Sequence, residues 1–245
     1  MFSVVIPFFN EADNLEPLLT ELLPVMQSLE EPFELLLVDD SSTDASLDIA
    51  KKMAAQDSRI RLLHLDPQQG QSGALAAGFR AVRGETVITL DADLQNDPKD
   101  IPKMVELASS YDVVCGIRQE RQDSWVRRVS SRIANGIRNR VTGDSIEDVG
   151  CSLRVVRSDL LYRVPVFSSM HRFLPTLLRM AGGSVTQVPV RHRPRLGGES
   201  KYGIGNRAWR GLVDLCGVRW LQRRHVDFGA AEELTQNSGP SADSG

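Results

Sequence analysis

Short, wholly apolar runs alternate with longer stretches of helical spacing over the first half of the chain. The runs Ser3–Phe8 (SVVIPF), Phe33–Val38 (FELLLV), Ile60–Leu65, Glu85–Leu90 (ETVITL) and Asp112–Gly116 (DVVCG) lack the polar alternation of a half-solvated strand. They predict strands covered on both faces. Between them, Asp13–Leu29 places Leu15, Leu18, Leu19, Leu22, Leu23 and Met26 at helical intervals. Ser42, Thr43 and Asp44 offer caps for a second helix reaching about Asp57, Gly70–Arg83 reads as a small-residue helix, and Pro98 opens a fourth. Strand–helix alternation of this kind predicts an α/β fold, a Rossmann-like, doubly wound, mostly parallel sheet with helices on both faces. Ligands of such sheets sit beyond the carboxyl ends of the strands. Three predicted strand ends carry polar clusters, Asn10-Glu11, Asp39-Asp40 and Asp91-Ala92-Asp93. Their convergence on one crevice is the central structural expectation.

After residue 116 the texture changes. Ser124–Val141 predicts an arginine-rich helix, Cys151–Val156 (CSLRVV) a strand, Met170–Met180 a helix, and the alternating Ser184–Arg191 an edge strand. A loop rich in Gly, Pro and Arg follows. Asn206–Arg224, with Trp209, Leu212, Leu215 and Trp220, predicts a C-terminal amphipathic helix. The stretch after it is small and polar and is expected to be disordered. The chain thus divides into an acidic part, 1–116, an arginine-rich part, 117–225, and a tail, 226–245.

Charge sharpens that division. The net formal charge is -3, yet residues 1–115 carry 8 Lys/Arg against 20 Asp/Glu, and residues 116–225 carry 21 against 8. All but one of those later cations are arginines, which bind phosphate and carboxylate bidentately where lysine acts as a point charge. This bias points to a polyanionic ligand or an anionic membrane surface. No run of about 18 apolar residues is present, and Met1-Phe2-Ser3 has no basic segment before its apolar run, so neither a bilayer span nor a secretory signal is expected. The three cysteines, Cys115, Cys151 and Cys216, are far apart without a CxxC. That spacing fits a reducing compartment and no zinc site.

Asp91 and Asp93, one residue apart behind a buried strand, suit a hard divalent cation shared with a diphosphate, Mg2+ or Mn2+, and Gln95 adds a neutral oxygen. Carboxylates such as Glu11 and Asp40 at strand ends can accept from ribose hydroxyls or base N–H groups, and Phe9 can meet a base face. No GxGxxG follows the first strand, which argues against a dinucleotide oxidoreductase.

SVVIPFFNE, ELLLVDDSSTD and DADLQNDP resemble the donor-site motifs of glycosyltransferase family 2. DVGCSLRVV, HRFLP and RLGGESKYG resemble later motifs of its polyprenyl-phosphate (dolichol-phosphate mannose synthase-like) branch, and the likeness runs over residues 2–223. The resemblance implies a GT-A fold and an inverting transfer from a nucleoside diphosphate sugar to a polyprenyl phosphate. It makes 1–116 the donor half and 117–225 the acceptor half. Carried over by motif, Pro7, Phe9, Glu11, Val38 and Asp40 hold the nucleoside, Asp91, Ala92 and Asp93 meet the diphosphate, and Asp91, Asp93 and Gln95 hold the metal. Arg195 and Lys201 clamp the donor phosphates, and Arg118 reaches the phosphate region. Phe9 stands where Tyr is commoner and so lacks one hydroxyl. Arg128 and Arg132 are candidates to hold the acceptor phosphate, and His171 with Arg172 to touch donor or acceptor. An acceptor phosphate is already anionic and needs no strong base. Were the acceptor instead a hydroxyl of a glycan or glycolipid, Asp148 is the candidate base. A lipid acceptor implies a cytoplasmic protein docked peripherally on the inner membrane face or on a membrane partner subunit. Nucleic acid is not an expected partner.

Overall fold

The computed structural model describes residues 1–119, 135–194 and 204–226, the side chains of the last stretch from Gly211 onward. Seven strands form one sheet: β1 (Phe2–Phe8), β2 (Phe33–Asp39), β3 (Ile60–His64), β4 (Thr86–Thr89), β5 (Val113–Arg118), β6 (Arg154–Arg157) and β7 (Val185–Val190). Their spatial order is β3-β2-β1-β4-β6-β5-β7. All neighbours are parallel except β6, which runs antiparallel to both β4 and β5. The expected doubly wound α/β sheet is therefore present, with one reversed strand contributed by the arginine-rich part. β7 lies at the edge, as its alternation predicts.

Helices cover both faces because the strands are apolar on both. On one face, Val4, Ile6, Phe8, Leu35 and Leu37 pack with Leu15, Leu18, Leu22 and Met26 of α1 (Ala12–Gln27) and with Ile101 and Met104 of α4 (Ile101–Leu107). On the other, Val5, Leu36 and Val38 meet Ala74, Leu75 and Phe79 of α3 (Gly70–Ala81). This second layer continues into Leu174, Leu177 and Leu178 of the helix Leu174–Met180. Successive strand residues go to opposite clusters, the period-2 alternation of extended chain. α3 approaches the sheet closely through Gly78, where an added Cβ would lie 2.5 Å from Val5 Cγ1 and 3.3 Å from Val38 Cγ2. Gly78 is thus a packing requirement rather than a propensity effect.

Residues 135–142 are helical, and the rest of the expected 124–141 helix lies outside the described residues, as does the tail expected to be disordered. The C-terminal helix Ile204–Arg224 buries Leu215 and Val218 and exposes Leu212, Val213 and Trp220. Among the described residues, no helix is long and apolar enough to cross a membrane.

Candidate active site

Parallel pairing brings the ends of β1, β2 and β4 to one edge of the sheet, with Phe8 opposite Asp39 and Val5 opposite Thr89. The loops leaving these ends are held open by unusual backbone: Asn10 (φ 56°), Ser41 (φ 66°) and Leu94 (φ 60°) are left-handed. Non-glycine residues adopt that region at a cost and only where surroundings enforce it. The enforcement is visible. Asn10 accepts from Thr43 N–H at 2.8 Å through Oδ1, and its own N–H donates to Ser42 Oγ at 3.0 Å. Glu11 N–H donates to Ser46 Oγ at 2.8 Å. Ser42 and Thr43 therefore lace the first two loops together instead of capping the following helix α2 (Ser46–Gln56); Asp44, accepting from Ser46 N–H at 2.9 Å, serves that helix start.

A groove of about 280 Å³ runs along this edge, lined by Pro7, Phe9, Glu11, Asp40, Asp91, Ala92 and Asp93 together with Phe8, Gln68, Gly70, Gln71 and Ala74. Seven of the residues picked from the motifs are thus brought together. Asp40, 4% exposed, accepts through Oδ1 from the N–H groups of Gln69 (2.7 Å) and Gly70 (3.1 Å). It pins the start of α3, where Gly70 has φ 75°. Val38 is elsewhere: fully buried on β2, it belongs to the core beneath Gly78 rather than to the groove lining.

Asp91 and Asp93 do not extend the strand. Ala92 and Asp93 form a turn, closed where Asp93 Oδ1 accepts from Gln95 N–H at 3.2 Å. Burial and then the charge of Asp93 push the Asp91 carboxyl up to about 6, against the opposing pull of Ser152, Arg154 and Gln71. Gln71 Nε2 donates to Asp91 Oδ1 at 2.9 Å. Two mutually repelling carboxylates at one turn are a fit for a divalent cation. No group of three or more His, Cys, Asp or Glu forms a closed ligand set among the described residues, so phosphate and water oxygens would complete the shell. That is the usual arrangement for Mg2+, which binds through one or two carboxylates plus substrate phosphates.

Beyond Asp91 a second cavity opens, of about 420 Å³, sharing Gly70, Gln71 and Asp91 with the groove. Arg154, His171 and Arg172 line it. His171 Nδ1 is 2.9 Å from Ser72 Oγ of α3, and burial, reinforced by Arg172 and Arg154, holds its imidazole down at about 4, hence neutral at ordinary pH. Arg118 lies outside both linings: its Nε and Nη2 bind Asp148 Oδ2 and Oδ1 at 2.7 and 2.8 Å. The candidate phosphate ligand and the candidate base are thus partners of each other. Gly150 permits this, since a Cβ there would lie 2.4 Å from Arg118 Nη2. Arg128, Arg132, Arg195 and Lys201 lie outside the described residues. The chain entering that last segment is anchored beside the acidic turn: Arg193 N–H donates to the Gln95 carbonyl at 2.8 Å, and its guanidinium bridges Glu21 and Asp97.

Arg154, Gln71 and Ser72 are site residues given no role from the sequence. Arg154 lies within DVGCSLRVV, and an arginine inside an otherwise apolar strand is the available signal for it. Nothing local marks the other two.

The fold is that of GT-A glycosyltransferases. Glucosyl-3-phosphoglycerate synthase from Mycobacterium tuberculosis, solved with Mn2+, UDP and glucosyl-3-phosphoglycerate, superposes with a TM-score of 0.64 at 17% identity, over 94% of this chain and 82% of that one. Its complex with Mg2+ and UDP gives 0.66 at 19% identity, over 89% and 79%. More narrowly, the chain belongs to glycosyl transferase family 2, whose domain matches residues 3–164. It is 44% identical over 204 residues, 82% of this chain, to the undecaprenyl-phosphate 4-deoxy-4-formamido-L-arabinose transferase of Edwardsiella ictaluri, and it spans 63% of that relative's length. It is 38% identical over 227 residues to the dodecaprenyl-phosphate galacturonate synthase of Rhizobium johnstonii, covering 90% of this chain and 67% of the relative.

Proposed function

We propose that this protein transfers a glycosyl group from a nucleoside diphosphate sugar to a polyprenyl phosphate. The observation that carries the reading is the continuity of the site. A groove lined by Phe9, Glu11 and Asp40 runs to Asp91 and Asp93 and there opens into a cavity lined by arginines. A nucleoside fits the first part, a diphosphate the acidic turn once its charge is bridged by a cation, and the reacting groups the cavity beyond. The names of the two relatives, both polyprenyl-phosphate sugar transferases or synthases, support the acceptor class. The complexes of the M. tuberculosis enzyme with UDP and Mn2+ or Mg2+ support the donor class and the metal.

Asp91 and Asp93, with Gln95 beside them, are the residues that would hold Mg2+ or Mn2+. An ion held by these residues would supply neutralisation of charge on the leaving diphosphate. The chain's own residues do the rest. Asp40 holds Gln69 and Gly70 so that α3 begins at the donor, and Gln71 orients Asp91. The neutral His171 keeps Ser72 in place without adding a positive charge. With an anionic nucleophile, positioning and charge neutralisation replace a general base. In this reading Arg195 and Lys201 stabilise the leaving group, Arg128 and Arg132 serve the acceptor side, and the protein docks peripherally on the membrane that holds its lipid.

The test is direct. The protein is incubated with labelled nucleotide sugars, Mn2+ or Mg2+ and a short-chain polyprenyl phosphate, then extracted with butanol. Label in the organic phase, lost in Asp93→Ala, is the expected result. Label appearing on a glycan instead transfers the reading to a hydroxyl acceptor, and no transfer with any donor overturns it.

A further inference from the structure

The cavity beyond Asp91 carries an electrostatic imbalance. Two guanidinium groups, Arg154 and Arg172, face a single carboxylate, Asp91, in its lining. Arg154 is 3% exposed, yet its Nε has no hydrogen-bond partner among the described residues, while Nη2 donates to the carbonyls of Val149 (3.1 Å) and His171 (3.4 Å). Those carbonyls take up Nη2 hydrogens without cancelling the charge. Arg172 is partly buried and forms no ion pair with any described carboxylate. His171, in the same lining, is held down first by burial and then by the charges of Arg172 and Arg154, so it adds no counter-charge. One carboxylate, Asp91, is set against two guanidiniums, and burying charge without full compensation is costly, so the recess is built for a further anion that arrives.

The topology explains why the charge sits there. β6 runs against its neighbours, so its first residue, not its last, lies at the ligand edge: Arg154 is registered with Thr89 of β4 and Cys115 of β5. Arg172 arrives separately, on the short turn Met170–Arg172, which is stapled to α3 through Ser72 and His171.

We propose that this recess is an oxyanion subsite in which Arg172 and Arg154 receive a carboxylate or phosphate group from the molecule that reacts at the donor diphosphate. Two sources present that chemistry: the phosphate of the lipid acceptor, and an acidic substituent on the transferred sugar. The inference rests on the transferase reading for the identity of the reactants. The recess itself is read only from its residues.

The experiment separates the two sources and also separates this inference from the reading beneath it. Calorimetry with Mn2+ measures UDP and GDP, then geranyl phosphate in the presence of the nucleoside diphosphate that binds, then UDP-glucuronate against UDP-glucose. The proteins are wild type, Arg172→Gln and Arg172→Lys. Glutamine cannot supply a charge-assisted hydrogen bond to the anion, so Arg172→Gln weakens one arm at least tenfold and leaves nucleoside diphosphate affinity and melting temperature in place, with Lys recovering part of the affinity. Weakening in the geranyl phosphate arm assigns the acceptor, and collapse of the glucuronate preference assigns the sugar. If neither arm moves by more than twofold, or if nucleoside diphosphate affinity falls equally, the subsite does not exist as described. A wild type that binds neither UDP nor GDP overturns the transferase reading instead, and geranyl phosphate alone still tests the recess.

Discussion

Arg118 and Asp148 form a bidentate ion pair, with a third contact from the Arg118 N–H to Asp148 Oδ2 at 3.2 Å, and both side chains are largely shielded, at 18% and 8% exposure. Removing one member of such a pair strands the other charge in low dielectric. Asp148→Ala is therefore expected to lower unfolding free energy by about 3 kcal/mol, a change that urea denaturation with unchanged m-value would register. Gly150→Ala reaches the same pair sterically, because its new Cβ displaces Arg118 Nη2, and should produce a smaller effect in the same direction. A Gly150→Ala protein as stable as wild type would mean that Arg118 holds Asp148 by other contacts.

The raised carboxyl of Asp91 makes metal binding depend on pH. Its protonated form competes with a cation, so Mn2+ affinity should be constant above about 6 and fall roughly tenfold per pH unit below it. The sign for folding is opposite to that of a salt-bridged acid. A carboxyl raised above its usual value makes the metal-free protein lose stability as pH rises through the range between that usual value and about 6, and Asp91→Asn should remove that dependence. His171 is held near 4 and so contributes no inflection near 6. Mn2+ titrations between pH 5 and 8 on wild type and His171→Gln check this, both curves breaking at the same pH.

Asp40 organises the start of α3 through two backbone N–H groups. In Asp40→Ala both donors are left without their acceptor, which should cost about 1–3 kcal/mol of stability. Nucleoside diphosphate affinity should fall with it, measured in the presence of saturating Mn2+. Unchanged affinity would remove Asp40 from the donor groove.

Gly78 is predicted to tolerate no side chain. Gly78→Ala forces a methyl into Val5 and Val38 and should destabilise by about 1–3 kcal/mol despite alanine's better helix propensity. Thermal unfolding checks the sign, which propensity alone would place the other way.

Thiol chemistry reports on the fold. Cys115 and Cys151 are buried, and burial pushes their thiols up to about 11 and about 12, whereas Cys216 is exposed. One fast-reacting thiol is expected in the native protein and three after denaturation, as counted with a chromogenic disulfide.

Much of this molecule was legible from contiguous residues. Apolar runs marked β1 to β5, because a strand covered on both faces has to be apolar throughout, and helical spacing marked α1 as surely. Acidic residues placed directly after such runs marked the site edge, since parallel strands must end together. Partners were not legible. Ser72 meets His171 across 99 residues, Arg118 meets Asp148 across 30, and Ser42 turns to Asn10 across 32. Those meetings depend on strand order and direction, above all on β6 reversing between β4 and β5, which no local periodicity encodes. The same reversal put Arg154 at the ligand edge, and close packing of α3 drew Val38 into the core. Side-chain period and turn chemistry are properties of neighbouring residues, whereas which charges share a cavity is settled only when distant segments compete to bury their apolar faces.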